Sequence, residues 1–329
     1  MEKCSIVVPC YNEEEALPLF YEAVEKVLST MPMLEFEYIF VDDGSRDKTL
    51  AVLRSMAEAD AKVHYLSFSR NFGKEAAMFA GLSESTGDYV VIMDADLQDP
   101  PELLPEMYKA VTEEGYDCAA TRRVNRKGEP PIRSLFAKMF YKIMNKIAKV
   151  NMMDGARDFR FMKRVMVDAI LSMKEYHRFS KGIFGWVGFN TKWIDFTNRE
   201  RVAGKTKWSF FSLFKYSLEG IMAFSTAPLE WASFVGLFFC VLAIAFLIFL
   251  FVRAILFGDP VDGWPSLACM ITFFAGLQLF VTGIIGMYLA KAYNEIKERP
   301  VYIIREKKYS GKTTPDNNEN KEPKGNIRG

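Results

Sequence analysis

The sequence predicts an α/β domain with a doubly wound, mostly parallel sheet, followed by a two-helix membrane anchor. Short apolar, β-branched runs alternate with helical stretches in the N-terminal third of the chain. Two long stretches without a charged residue lie in the C-terminal third. The first pattern is typical of strand–helix–strand units, and the second is typical of helices that cross a bilayer.

Composition narrows the class of protein further. Half of the 329 residues are hydrophobic, and 42 basic residues balance 41 acidic ones. These values exclude a disordered chain and argue against a nucleic-acid-binding protein. The five cysteines form no C-x-x-C pair, and the two histidines, His64 and His177, lie far apart. We therefore expect no disulfide framework and no zinc centre, so any catalytic metal would need oxygen ligands.

The N-terminal domain is predicted to contain four strands, each followed by a helix. The predicted strands are 5–9, 38–41, 63–67 and 89–93, and the predicted helices are 14–28, 48–59, 74–83 and 102–112. This order predicts a parallel sheet in which the carboxyl ends of the strands share one edge. Ligands bind at that edge in such sheets, so the polar residues directly after the strands form the candidate site.

Acid-bearing turns follow three of the four predicted strands. They are residues 11–13, 42–43 and 94–99. Asp94 and Asp96 are two positions apart at a strand end, so both carboxylates can face one cation. Hard oxygen ligands suit Mg²⁺ or Mn²⁺, which can bridge a nucleoside diphosphate and stabilise it as a leaving group. A D-x-D pattern alone is weak evidence, because a solvated turn is its ordinary alternative.

Two uncharged stretches, 232–252 and 267–289, are predicted to cross a membrane. Each gives a helix of about 30 Å, the thickness of a bilayer core. Buried core helices are the alternative, although soluble helices seldom run this long without a charge. The basic residues after the second stretch favour a cytoplasmic location for both chain ends. The predicted organisation is a cytoplasmic domain over 1–227, a transmembrane hairpin over 228–291, a juxtamembrane segment over 292–305 and a disordered polar tail over 306–329.

Segment 131–150 is predicted to form a basic amphipathic helix on the membrane surface. Its apolar residues recur at helical spacing, and its charged residues, Arg133 and four lysines, include no acid. This pattern is typical of helices that lie on anionic lipid, with a helix packed on the sheet as the alternative. The aromatic-rich segment 208–224 is expected to skirt the membrane before the first span.

Several motifs together resemble a known enzyme family. Residues 6–14, 41–49 and 94–101 resemble the family 2 glycosyltransferases of GT-A fold. Residues 69–75, 158–160, 181–182, 201–207 and 299–304 resemble the polyprenyl-phosphate glycosyltransferases, a group that includes dolichol-phosphate mannose synthase. Within that group, the bactoprenol glucosyltransferase branch fits best. No Q-x-x-R-W pattern of processive synthases occurs, so transfer of a single sugar is expected.

This resemblance implies roles for individual residues. Nucleotide contacts are implied for Pro9, Tyr11, Asn12, Glu13, Asp42, Asp43 and Asp94, and metal ligation for Asp94, Asp96 and Gln98. Catalytic roles are implied for Asp158 and Asp96, and the cations expected on the acceptor phosphate are Arg123, Arg133, Arg201 and Lys207. For Arg133 a plain surface position is an equal alternative. For Asp158 the alternative is an ion pair with Arg157 or Arg160.

The resemblance also implies substrates and partners. The expected donor is UDP-glucose and the expected acceptor is undecaprenyl phosphate, with Mg²⁺ or Mn²⁺ as cofactor and inversion at the anomeric carbon. UDP-GlcNAc or another nucleotide sugar is the alternative donor, and a non-catalytic membrane scaffold is the alternative of another class. A multi-pass location in the cell membrane and a homotetramer are implied as well. Because every catalytic motif precedes the spans, the sheet is expected to fold without them.

Overall fold

The computed structural model describes residues 1–124, 153, 155–197, 225–257, 263–309 and 312–314. Both predicted interfacial helices, 131–150 and 208–224, lie outside the described residues. The same holds for three of the predicted acceptor cations, Arg133, Arg201 and Lys207. These assignments stay predictions.

The strands in the described part of the chain form one nine-stranded mixed sheet, in the order β7-β5-β6-β4-β1-β2-β3-β8-β9. The strands are β1 (Glu2–Cys10), β2 (Leu34–Asp42), β3 (Val63–Phe68), β4 (Tyr89–Ile92), β5 (Cys118–Arg123), β6 (Ala156–Lys163), β7 (Thr191–Phe196), β8 (Ile304–Tyr309) and β9 (Lys312–Thr314). The helices are α1 (Ala16–Leu28), α2 (Thr49–Ala59), α3 (Lys74–Glu84), α4 (Leu104–Thr112), α5 (Arg164–Ser172), α6 (Ser180–Trp186), α7 (Ala227–Phe257) and α8 (Trp264–Ile296), with a 3₁₀ turn at Pro101–Leu103.

The four predicted strands form the parallel centre of this sheet, as the sequence indicates. β1 pairs in parallel with β2 and β4, and β2 pairs in parallel with β3. Side chains alternate between the two faces: Phe40 packs edge-on against Phe20 of α1, whereas its neighbours Ile39 and Val41 join the core under α3. Both faces are buried, which explains why the central strands are continuous apolar runs.

Outside this centre the sheet is mixed, because β6 runs antiparallel between β4 and β5. Ile92 of β4 pairs with Arg160 of β6. The start of β6 therefore lies at the same edge as the end of β4, and its Asp158 comes beside Asp94. Charged residues interrupt the apolar pattern of β6, and its partners are distant in sequence, so local periodicity did not reveal it.

The predicted disordered tail is wrong for residues 306–309, which belong to β8, and for residues 312–314, which form β9. This strand pairs antiparallel with β3, and β9 pairs with β8. Arg54 Nε donates to Glu306 Oε1 at 2.9 Å, and Tyr65 Oη donates to the same oxygen at 2.6 Å. A short, charged sequence is typical of an edge strand, so composition alone made it resemble a tail. The sheet is therefore completed by chain that follows the predicted spans, contrary to our expectation.

The two C-terminal helices are long, and α8 contains one candidate membrane span. Among the described residues, Phe273–Ile296 is long and apolar enough to cross a bilayer, with a mean hydropathy of 1.8. The first predicted span, 232–252, lies within α7 and the second, 267–289, lies within α8; a two-helix anchor stays a prediction. The helices contact each other where Phe239 of α7 packs edge-on against Phe273 and Phe274 of α8.

The end of α8 contacts the α/β domain directly. Tyr288 Oη donates to the carbonyl oxygen of Ser225 at 2.7 Å, just before α7. At the end of α8, the Glu295 carboxylate accepts the backbone N–H of Tyr176 at 3.1 Å and that of His177 at 3.4 Å. The position of α8 is thus tied to the loop that leads into α6.

Candidate active site

The loops after β1 and β2 hold each other through side-chain-to-backbone hydrogen bonds. The Asn12 N–H donates to Ser45 Oγ at 2.9 Å, and Asn12 Oδ1 accepts the Arg46 N–H at 2.8 Å. The Glu13 N–H donates to Thr49 Oγ1 at 2.8 Å. Asn12 has a φ of 54°, a left-handed conformation that asparagine tolerates better than most residues. The predicted nucleotide-binding turns are thus brought together, with Pro9 at the end of β1 beside Val41.

Asp42 and Asp43 are both buried, and both accept hydrogen bonds from other residues of the protein. Asp42 accepts the Ser45 N–H at 2.9 Å and the Ser67 hydroxyl at 2.8 Å, one on each carboxylate oxygen. Asp43 accepts the N–H groups of Phe72 and Gly73 at 2.6 and 2.9 Å. Asp42 therefore ties its own turn to β3 and Asp43 fixes the loop after β3, roles that were not predicted. Their predicted nucleotide contacts stay predictions.

Gly44 allows that loop to approach so closely. Its φ of 63° is left-handed, and a Cβ at this position would meet the backbone of Arg70 and Asn71. Any side chain would push the loop after β3 away from Asp43. The glycine of the D-D-G-S turn is therefore needed for the geometry of the site.

Burial raises the pKa of Asp43 to about 6, against an ordinary value of 3.8, although the two N–H donors oppose this shift. Because the folded protein binds this proton more tightly than the unfolded chain, stability should fall as the pH rises from about 4 to about 6. The difference corresponds to about 3 kcal/mol in the free energy of unfolding. Asp43→Asn, which has no proton to titrate and can still accept N–H groups, should remove this part of the pH dependence. Thermal unfolding at about pH 4 to pH 7 checks this, and parallel profiles for the two proteins would contradict it.

Lys74 joins Asp94, a predicted metal ligand, to Asp158, a predicted catalytic acid. Its Nζ lies 2.7 and 2.9 Å from the two carboxylate oxygens of Asp94, and 2.5 Å from Asp158 Oδ2. Asp94 follows β4 and Asp158 belongs to β6, so one ammonium group connects two strands. The alternative interpretation of Asp158, an ion pair with Arg157 or Arg160, is wrong: Lys74 is its ion-pair partner.

The charges of this cluster stabilise one another. Burial opposes the charge on Lys74, but the carboxylates of Asp158 and Asp94 outweigh it and raise the Lys74 pKa. Burial likewise opposes the charge on Asp158, but Lys74 and Lys181 outweigh it and hold the Asp158 pKa well below its usual range. Both groups are therefore charged at neutral pH. In this arrangement Asp158 is a poor general base, because it gains a proton only in strong acid.

The D-x-D turn itself is held by local contacts. Asp96 is buried, and its Oδ1 accepts the Gln98 N–H at 3.1 Å. Leu97 between them has a φ of 55°, an unfavourable conformation for leucine. Strain of this kind persists where the surroundings dictate the backbone, and it is common at functional sites.

Asp99 and Gln98 both face Arg157. Arg157 Nε donates to Asp99 Oδ1 at 2.8 Å, and Asp99 has no exposed side-chain surface. Arg157 Nη2 lies 3.5 Å from Gln98 Oε1. The predicted role of Gln98 as a metal ligand would require its side chain to leave Arg157, and it stays a prediction.

The residues present fit a divalent cation that is only partly held by protein. Within the described residues, no three carboxylate, histidine or cysteine side chains converge closely enough to hold a metal by themselves. Asp94 and Asp96 offer two hard oxygen donors, and the Lys74 ammonium on Asp94 is a cation already attracted to this position. Mg²⁺ and Mn²⁺ commonly take one or two carboxylates and complete their octahedron with water and substrate phosphate.

A partly buried acid, Glu75, borders the cluster. Glu75 accepts the Ser180 N–H at 2.9 Å and also the Ser180 hydroxyl, which ties α3 to the start of α6. Burial raises the Glu75 pKa. A cavity of about 220 Å³ lies beside it, bounded in part by Arg70, His177 and Arg178.

Of the four predicted acceptor cations, Arg123 lies within the described residues. It ends β5, and its N–H donates to the carbonyl oxygen of Gly155 at 2.9 Å, just before β6. β5 and β4 both run antiparallel to β6, so Arg123 lies at the same edge of the sheet as Asp94.

Sequence reasoning missed Lys74, Glu75 and the Arg157–Asp99 pair. The signal for Lys74 was present, because it follows β3 at the same edge that the acids identified. Acids at the strand ends and arginines for phosphate were predicted there, whereas a lysine at the start of a helix was not. The Arg157–Asp99 pair depends on the antiparallel β6, which the sequence pattern did not predict.

Comparisons with known proteins identify the family of the chain. Residues 5–171 match the family described as Glycosyl transferase family 2. CsbB of Bacillus subtilis (strain 168), whose name gives only the class glycosyltransferase, is 42% identical over 96% of this chain and 95% of its own. The bactoprenol glucosyl transferase of Shigella phage SfX is 40% identical over 93% of this chain and 100% of its own.

The chain is also similar to solved structures. Mannosyl-3-phosphoglycerate synthase from Rubrobacter xylanophilus is 20% identical, covers 68% of this chain and 72% of its own, and has a TM-score of 0.48. At this level of similarity it adds nothing about substrate or metal. The sequence relatives and the family match are sufficient: the chain belongs to glycosyl transferase family 2 and is a glycosyltransferase.

Proposed function

We propose that this protein transfers one glucose from UDP-glucose to undecaprenyl phosphate at the cytoplasmic face of a membrane, with inversion. The observation that carries the proposal is the connection between the candidate site and the apolar helix α8. Glu295 near the end of α8 accepts N–H groups from Tyr176 and His177. A few residues later Ser180 contacts Glu75, the neighbour of Lys74. A site held this close to a membrane helix suits an acceptor confined to the lipid.

The relatives support the same acceptor. The 40% identical protein of Shigella phage SfX is named a bactoprenol glucosyl transferase, and it matches over its whole length. A protein of Escherichia coli (strain K12), named a prophage bactoprenol glucosyl transferase homolog, is 40% identical over 98% of its length. Similarity that extends through the C-terminal helices supports an acceptor of the same chemical class.

The chemistry suits the charged residues at this edge. A polyprenyl phosphate is already anionic at neutral pH, so it needs cations to hold it rather than a base to activate it. Arg123 is our candidate within the described residues, and Arg133, Arg201 and Lys207 complete the proposed acceptor set. Asp158, ion-paired with Lys74, serves in this proposal to hold that lysine at the site.

Tyr11, Asn12 and Glu13 are proposed to contact the nucleotide, because they border the buried Asp42 and Asp43 at the carboxyl edge. Asp94 and Asp96 would hold Mg²⁺ or Mn²⁺, which neutralises the leaving diphosphate. Gln98 is the proposed third ligand.

Membrane attachment is proposed through α7 and α8, with the catalytic domain and both termini in the cytoplasm. Leu279 and Leu289 of α8 are 73% and 67% exposed in the isolated chain. Apolar side chains exposed to this degree along a helix of bilayer length require a lipid or protein cover. A homotetramer would supply part of that cover and is proposed on the family resemblance alone.

The test is direct assay of the purified full-length protein in lipid nanodiscs. With undecaprenyl phosphate and Mn²⁺, we expect release of UDP from UDP-glucose and formation of a β-linked lipid phosphoglucose. Faster turnover with UDP-GlcNAc would support the alternative donor. Failure to turn over any nucleotide sugar and to bind UDP would favour the non-catalytic scaffold.

A further inference from the structure

Lys74 lies where a cation at the D-x-D turn would make its contacts. Its Nζ is 2.7 Å from Asp94 Oδ1 and 2.9 Å from Asp94 Oδ2, so it takes both oxygens of this carboxylate. The same nitrogen is 2.5 Å from Asp158 Oδ2. These contacts satisfy Asp94 without any metal.

The other charges nearby do not replace this lysine. Arg157 is the neighbouring arginine, and its guanidinium is paired with Asp99 at 2.8 Å. Lys181 acts on Asp158 through its charge, whereas Lys74 contacts both acids directly. Without the Lys74 ammonium, two carboxylates from adjacent strands would face each other with the charges of Lys181 and Arg157 as partial compensation, which is less favourable.

The two cations also compete for the same atoms. A divalent ion binds a carboxylate oxygen at about 2.1 Å, which leaves no room for an ammonium group on both oxygens of that carboxylate. Two positive charges this close would also repel each other. A metal that binds Asp94 must therefore displace Lys74 from it.

The lysine is free to move in this way. It is the first residue of α3, after Gly73 with a φ of 99°, and its side chain is 40% exposed. Its contact with Asp158 is separate from those with Asp94, so it can leave one acid and keep the other. No hydrogen bond of the helix backbone depends on the position of Nζ.

We infer that Lys74 is an internal cation that occupies Asp94 in the donor-free enzyme and is displaced onto Asp158 when the metal and nucleotide sugar bind. This inference rests on the proposed role of Asp94 as a metal ligand. It assigns Lys74 as a positioning residue that makes metal binding depend on the donor. The metal alone must displace Lys74, whereas the metal with a diphosphate gains phosphate oxygens as additional ligands.

The experiment measures Mn²⁺ binding to the full-length protein in detergent by electron paramagnetic resonance, with and without UDP. Without UDP, Lys74→Gln should bind Mn²⁺ at least about five-fold more tightly than wild type, because even in a water-like dielectric a unit charge at 4 Å contributes about 1 kcal/mol. Lys74→Met should behave in the same way. UDP should tighten Mn²⁺ binding in wild type and in both variants, because its phosphate oxygens are added as ligands in each.

Two variants control for charge and for shape. Lys192 lies on β7 and pairs with Glu114 at 2.6 Å on the protein surface. Lys192→Gln removes the same charge from this pair and should leave Mn²⁺ affinity unchanged. Lys74→Arg keeps the charge at the site and should bind Mn²⁺ as weakly as wild type. Thermal unfolding of each variant verifies that it is folded.

The outcomes separate this inference from the proposed function. Unchanged or weaker Mn²⁺ binding by folded Lys74→Gln and Lys74→Met, with normal binding by wild type plus UDP, would overturn the role of Lys74 alone. No saturable Mn²⁺ binding by wild type in the presence of UDP would overturn the proposed metal site, and the inference with it.

Discussion

Asp94→Asn is expected to lower the rate of sugar transfer by about 10³-fold, a loss of about 4 kcal/mol of transition-state stabilisation. The substitution removes one of two negatively charged oxygen ligands from the proposed metal site. It also removes the carboxylate on which Lys74 lies, at 2.7 and 2.9 Å. The leaving diphosphate then loses the cation that neutralises it. Initial rates with UDP-glucose and undecaprenyl phosphate at saturating Mn²⁺ measure the effect.

Asp96→Asn should show a loss of similar size, because it removes the second ligand. Asp168→Asn is the matched control, since this acid is 63% exposed on α5 and pairs with Arg164 across one helical turn. It should retain the wild-type rate. A less than ten-fold loss for Asp94→Asn, or full wild-type activity in excess EDTA, would contradict the proposed metal site.

The central strands and the edge that carries the site could be predicted because their signals are local. Alternating apolar runs and helices determine the order of β1 to β4, and parallel order puts their carboxyl ends at one edge. Asp42, Asp94 and Asp96 could therefore be assigned to one site from the sequence alone. The contacts of Asp42 and Asp43 could not be assigned in this way. A buried acid can contact either a ligand or the backbone of the protein. For Asp43 the outcome depends on the loop 69–73 after β3, and tertiary contacts set the path of that loop.

Lys74 shows why the cations that balance the charge of a site are harder to predict from the sequence than its acids. Two acids and a lysine, separated by 20 and 84 residues along the chain, meet because β6 inserts antiparallel beside β4. That pairing is long-range, and β6 carries Arg157, Asp158 and Arg160 in place of an alternating apolar pattern. The resemblance to a family identified Asp158, but only the geometry identifies its partner.

The C-terminal strand was missed because its composition is that of a polar tail. β8 is nevertheless held in the sheet by contacts of its side chains with β3 and α2. Tyr309 stacks on His64 with ring centroids 4.3 Å apart, and Lys308 Nζ donates to the carbonyl oxygen of Ala57 at 2.6 Å. Such contacts depend on residues more than 200 positions earlier in the chain, beyond the reach of any local pattern.

Ending the chain at Ala227 should therefore destabilise the catalytic domain severely, because it deletes β8 along with the spans. β3 would lose its antiparallel partner, and Phe68 would lose the stacked ring of Tyr302, 5.0 Å away. The Ser69 N–H would lose the carbonyl oxygen of Ile303, just before the loop that Asp43 holds. We expect thermal unfolding at least about 10 °C lower, or aggregation through the exposed strand edge. Thermal unfolding of the purified domain measures this change.

An internal deletion separates the strand from the spans. Replacing residues 228–287 by a short Gly/Ser linker removes the apolar helices but keeps Tyr288, whose hydroxyl lies 2.7 Å from the carbonyl oxygen of Ser225, so a few residues can close the gap. This variant retains β8 and Glu306, and it should unfold like the full chain and still bind UDP. A chain ending at Thr314 retains the same contacts and is the control for loss of the terminus. The Ala227 truncation and the internal deletion share residues 1–227, and only the internal deletion keeps the C-terminal residues that pair with β3. If the Ala227 truncation were as stable as the internal deletion, β8 would contribute little to the stability of the domain.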